Sequence, residues 1–146
     1  MRVCFGIAAL TLLSANAAES HVPPEVQIAA FAYAAVKDSF NLIDCLQVDG
    51  TDPPAEVLSK LAKRIPNVVP GSECEENVER GSFHRATDRD AFAIKLFRYQ
   101  RIDDAHVKIS LVTYGRRMSH EGSTLLLEAT ERGWFVSGSE QQTWRE

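Results

Sequence analysis

Histidine is the side chain that titrates nearest neutral pH, and this chain carries four: His21, His84, His106 and His120. To act as a general base, a histidine must be aimed at a nucleophile and steadied by an acid. To hold zinc it needs companion ligands at close spacing. The spacing provides neither arrangement. His106 shares a face with Lys108 and Ser110, opposite Val107 and Ile109, which is the alternation of a strand whose polar side meets water. His84 and His120 stand singly and read as surface residues. Among the acids, Asp88, Asp90, Asp103 and Asp104 occupy turn positions, where a short carboxylate caps the backbone. Glu121, Glu128 and Glu131 lie in turns or alternate with apolar residues.

Arg98 is different. It continues the face formed by Phe92, Ile94 and Leu96 and is expected to reach the mouth of a concave sheet, where its planar fork suits a carboxylate ligand. Pairing with Glu121 or Glu128, or extension past the strand end, would account for it equally well. Tyr33, in the apolar stripe of the first helix, is the other side chain expected to line that space. There is no P-loop, no GxGxxG after a strand, no GxSxG elbow, no HExxH helix and no calcium loop. No catalytic residue, metal or cofactor is therefore assigned.

The elements that would position these groups centre on residues 91–136. Phe92, Ile94 and Leu96 recur with period two, as do Val107, Ile109, Leu111 and Thr113, so both stretches read as half-buried strands. The breaks at Arg101-Ile102-Asp103-Asp104, Gly115-Arg116-Arg117 and Glu131-Arg132-Gly133 are short and polar, which suits antiparallel hairpins. A curved antiparallel meander of four to five strands is expected, with residues 78–87 as a weak edge strand and Gly122 as a bulge in a long strand over 118–130. Upstream, Pro23-Pro24-Glu25 starts a helix over about 24–40 that is apolar nearly all round and should be enclosed. A second helix is expected over about 53–65, with Asp52 as its N-cap and Pro66 as its stop. The fold class is α+β, with both helices packed on the meander.

Met1-Arg2-Val3, the apolar run from Cys4 to Leu13 and the small-residue zone Ser14-Ala15-Asn16-Ala17 match the three parts of a secretory signal peptide. Cleavage after Ala17 would leave 18–146 as a single α+β domain, periplasmic or secreted. The apolar run is short of the roughly 20 residues that cross a bilayer, so no membrane span remains after signal removal. Loss of Arg2 takes the formal net charge from −4 to −5. That balance argues against a nucleic-acid partner, which needs a surplus of Lys and Arg on one surface. Two cysteines remain, Cys45 and Cys74. In an oxidising compartment they are expected to form one disulfide, with free or reactive thiols as the alternative.

An enclosed first helix, a second helix and a long meander ending in Arg132-Gly133-Trp134-Phe135-Val136 resemble the cystatin/NTF2-like group, in which a helix lies in a strongly bent sheet. The framework Cys45, Asp49-Gly50, Asp52-Pro53 and Cys74 is similar to that of small exported bacterial proteins with no assigned activity. The resemblance implies a fold and no particular chemistry, because that group holds enzymes, carriers and interaction modules. The expected function is that of an exported, non-catalytic binding or protein-interaction domain, with an unknown protein or a small ligand as partner. The alternative is a small enzyme or ligand carrier that uses the cone between helix and sheet. A cone filled by Tyr33, Phe40, Phe92 and Trp134 would favour the first.

Overall fold

The computed structural model describes residues 22–37, 42–115 and 120–141. The expected signal peptide at 1–17, Phe40 and Trp144 lie outside them. Proline at the first helical position and Glu25 at the positive end of the dipole start α1 (Pro24–Lys37). Val26, Ala30, Phe31, Ala34 and Ala35 are all buried. Small alanines let the helix lie close to the sheet and to α2 (Ala55–Ala62), and the expected enclosure is found. Even Gln27 is buried, its side-chain amide donating to the Val22 carbonyl at 2.7 Å. The description of the helix stops at Lys37, short of the expected residue 40.

The chain then forms β1 (Ile43–Val48), a strand the sequence reading missed. Leu46 and Val48 face the helices, while Ile43 and Cys45 join a smaller apolar cluster on the other face. A strand buried on both faces shows no alternation, so period-two pattern gave no signal. Asp49 and Gly50 both have positive φ, at 49° and 77°, and close a tight turn in which Val48 and Thr51 exchange backbone hydrogen bonds. α2 is shorter than expected, because Pro54 occupies its N-cap without a side-chain bond. Asp52 does not cap it. Its carboxylate accepts the Ser72 amide at 2.8 Å and the Ser72 hydroxyl at 2.5 Å, tying together the two ends of the α2 segment.

After α2 come β2 (Val68–Pro70), one 3-10 turn at Gly71–Glu73, β3 (Cys74–Asn77) and β4 (Gly81–His84). The long strands follow: β5 (Arg89–Arg101), β6 (His106–Tyr114), β7 (His120–Thr130) and β8 (Gly133–Gln141). The main path runs β2-β1-β5-β6-β7-β8, and the β3–β4 hairpin joins through the start of β5. The α+β class and the antiparallel β5–β8 meander stand, but the sheet has eight strands rather than four to five. It is also mixed, since β1 pairs in parallel with both β2 and β5. The extra strands are short, or carry few apolar residues, or are buried on both sides, and none of those conditions produces a periodic pattern.

Two register shifts shape the meander. Phe97 pairs with Ser110 and Gln100 with Lys108, so Arg98 and Tyr99 share the space opposite Ile109. This is a bulge, with Arg98 in the left-handed region at φ 53°. Gly122, the expected bulge, pairs in unbroken register with Val112. The second shift lies instead between Leu126 and Leu127, leaving Ser137 of β8 as the extra residue. Trp134 and Val136 pack against the main core from the helix side of the sheet, but Trp134 is half-buried rather than enclosed, because β8 is the last strand of the main path.

Candidate functional site

The cone between helix and sheet was the first place expected to hold a site. Phe92 is buried there, and Tyr33 and Trp134 pack against the core. Among the described residues, the gap lined by Ala34, Leu111, Thr113, Ser123, Ser139 and Gln141 measures about 50 Å³. A water needs about 10–15 Å³ of such space, so this gap has room for a few waters and falls well short of the roughly 300–1,000 Å³ of an organic-ligand site. Arg98 does not line it. The bulge turns Arg98 out of the face of Phe92, Ile94 and Leu96 and puts the half-buried Tyr99 against the core in its place. The exposed Arg98 guanidinium carbon lies 5.7 Å from the centre of the Phe97 ring.

More space lies on the opposite face, under the β3–β4 hairpin. One cavity of about 270 Å³ is bounded by Gln47, Gly71, Glu75, Ala93, Lys95 and the Cys45–Cys74 disulfide, with Glu76 on its rim. A second of about 250 Å³ lies between Asn77, Val78, Gly81, Ser82, Tyr114 and Gly115, and it shares Glu76 with the first. Neither Arg98 nor Tyr33 is among the lining residues of these three spaces.

Local sequence explains how the groove is built. Cys45 points away from the helices because it alternates with Leu46, and the hairpin brings Cys74 to it across 29 positions. The expected disulfide is therefore formed. Lys95, on the same face as Ala93, extends across the floor, with Nζ 2.5 Å from Glu76 Oε1 and 4.8 Å from the centre of the Tyr114 ring. The Ser82 hydroxyl donates to the Tyr114 carbonyl at 3.4 Å and closes the far end. Gly71 is fixed by close approach, since a Cβ there would stand 2.2 Å from Gln47 Cγ. The floor thus offers an ammonium, a primary amide and carboxylates at one end, and Val78 beside an aromatic ring at the other. Such a set can hydrogen-bond a polar head and cover an apolar end, while Val78 remains 73% exposed at the hairpin tip.

The histidines are better partnered than their spacing showed. His84 is buried, with Nδ1 2.8 Å from Thr87 Oγ1 and Nε2 3.2 Å from Glu73 Oε2. Thr87 belongs to the turn that follows β4, and Glu73 arrives through the β3–β4 pairing, so only the first contact was readable from the chain. This hydroxyl–imidazole–carboxylate set ties the hairpin end together and lines none of the three spaces described. His106 Nδ1 is 2.8 Å from Asp103 Oδ1 in the β5–β6 turn. The Ala105 backbone N–H, with His106 second, holds the Asp103 carboxyl below the usual aspartate range. His120 lies beside Tyr114, ring centres 6.1 Å apart. Asp88 is a turn residue as expected, whereas Asp90 lies in β5 opposite Phe83 rather than in the turn, and both face Arg80, which also covers the Phe83 ring at 4.2 Å.

Among the described residues, no group of three or more His, Cys, Asp or Glu side chains could hold a metal ion. No described helix is long and apolar enough to cross a membrane. Comparison with protein-family models, with curated proteins and with solved structures gives no match to this chain.

Proposed function

We propose that this chain is an exported, non-catalytic binding module whose ligand lies in the groove beneath the β3–β4 hairpin. The observation that carries this reading is the contrast in room between the two faces of the sheet. Among the described residues the helix side shows a gap of about 50 Å³, whereas the hairpin side holds two adjoining cavities of about 270 and 250 Å³. The groove's polar end and apolar end fit a ligand with an amide or zwitterionic head and a short hydrocarbon tail, either free or as part of a protein segment. Export is supported by the N-terminal residues 1–17 and by the Cys45–Cys74 disulfide. Intact mass of the exported form should then begin at Ala18.

A backbone NMR titration with small amide-headed, short-tailed compounds tests the site. Shifts should cluster at Gln47, Glu76, Ser82, Lys95 and Tyr114, and Lys95→Met should weaken them. Shifts at Ala34, Thr113 and Ser139 would instead support the cone as the ligand site, and no shifts with any compound would refute the groove.

A further inference from the structure

β8 ends the sheet. Among the described residues it has a partner strand only on its β7 side, leaving a nine-residue edge. Natural edges of that length are guarded by Lys, Pro or covering segments. From Gly133 to Ser139 this one has no charge and no proline. Among the described residues nothing accounts for two of its residues. Phe135 is 43% exposed. Gly138 is a strand glycine that its own surroundings do not require: a Cβ there would meet the Leu126 Cβ at an ordinary 3.8 Å. Glycine inside a strand is destabilising relative to alanine and often marks the close approach of another backbone.

The bulge brings these two features to one face. Phe135 pairs with Glu128, and Gly138 with Leu126. Residues two apart on β7 share a side of the sheet, so Phe135 and Gly138 both lie on the side away from the helices. Without the extra Ser137 they would lie on opposite sides. A knob and a bare patch on one edge strand are self-complementary. We propose that β8 pairs antiparallel with β8 of a second copy of this chain, about a two-fold axis near Val136 and Ser137, with each Phe135 seated on the Gly138 of the other.

In this register Trp134 faces Ser139 and Gly133 faces Glu140, so partners on both flanks lie on matching sides of the pleat. The bulge, which reverses the side-chain order along β8, falls at the axis. Arg132 of each copy comes to the end of the ladder where Glu140 and Gln141 of the other lie, and no like charges are opposed. Both are exposed and form no ion pair among the described residues. The contact is isologous and closes as a dimer. It lies apart from the hairpin groove and does not depend on it.

Sedimentation equilibrium of the full chain over a concentration series, with amide exchange of β8 measured alongside, tests the pairing. Wild type should show twice the mass of one chain, and β8 amides should become slower to exchange as concentration rises. Gly138→Glu and Phe135→Ser should each halve the mass while leaving the circular dichroism spectrum and unfolding midpoint of the single chain intact. Gly138→Ala, which removes less of the bare patch, should give an intermediate association. A wild-type chain that stays monomeric throughout would overturn the proposal. So would a dimer that survives both Gly138→Glu and Phe135→Ser, since its interface would lie on another face.

Discussion

The two layers packed on this sheet are held by different forces. On the helix side, Phe31, Ile94, Leu96, Ile109, Leu125 and Leu127 are fully or almost fully buried in one continuous apolar cluster. On the hairpin side the apolar cluster is small, comprising Ile43, Cys45, Ala91 and Ala93 with a few half-buried neighbours. The attachment of β3 and β4 there rests on a two-residue ladder to the start of β5, a disulfide, the Lys95–Glu76 and Arg80–Asp90 ion pairs and one long Ser82 hydrogen bond. Burial of apolar area is non-directional and fills space, so the first layer leaves almost no room. Point attachments fix a position without filling the volume beneath, so the second layer leaves a groove. The cavities therefore lie where the hydrophobic effect contributes least.

The contrast is sharpest if each layer is loosened separately. Phe31→Ala should cost about 3–5 kcal/mol, the range for emptying a large aromatic site in a core. Denaturant unfolding would show this as a lower midpoint, with β5 to β8 losing exchange protection together. A loss below about 1 kcal/mol would mean that Phe31 does not anchor the layer. Replacing both cysteines, Cys45→Ala with Cys74→Ala, should cost about 3–4 kcal/mol on the chain-entropy view of a loop of this length. It should also have a local signature that Phe31→Ala lacks. Amides of β3 and β4 should exchange faster than those of β6 and β7, because opening the hairpin exposes little apolar surface. Uniform loss across all strands would erase the distinction between the layers.

The smallest effect is expected at the β5–β6 turn, outside both layers. Asp103 accepts the Ala105 amide at 2.8 Å and faces His106. Its folded-state pKa is lowered, chiefly by that amide. The stabilisation is therefore fully present above the ordinary aspartate value of about 3.9 and is lost as pH falls through the lower folded value. The Ala105 amide resonance should titrate with a midpoint below the ordinary range, and Asp103→Asn should abolish that titration. A midpoint at or above the ordinary value would show that the bond does not favour the carboxylate.

The chain declared its long strands and its first helix plainly. Phe92, Ile94 and Leu96, then Val107, Ile109 and Leu111, mark their buried sides by alternation, and the apolar girth of α1 announced its enclosure. β1 was illegible for the opposite reason, since Ile43, Cys45, Leu46 and Val48 are apolar on both faces and leave no period to detect. The candidate site was legible only in part. Cys45 and Cys74 could be paired by elimination, but nothing in the types or spacing of Lys95 or Glu75-Glu76-Asn77 marked the floor and wall of a groove.

Local rules also misplaced Arg98. Strict alternation puts it inside, and one inserted residue in β5 puts it outside, with Tyr99 taking the core position. Amphipathic period, turn residues, helix starts and cysteine count are properties of neighbouring residues, so the sequence by itself determined the helices, the meander and the disulfide. Strand register, the parallel insertion of β1 and the seating of the hairpin over Lys95 depend on contacts between residues far apart in the chain. Their energies differ between alternatives only once the layers have packed, and for that reason the tertiary structure alone decided where the groove lies and which described strand ends the sheet.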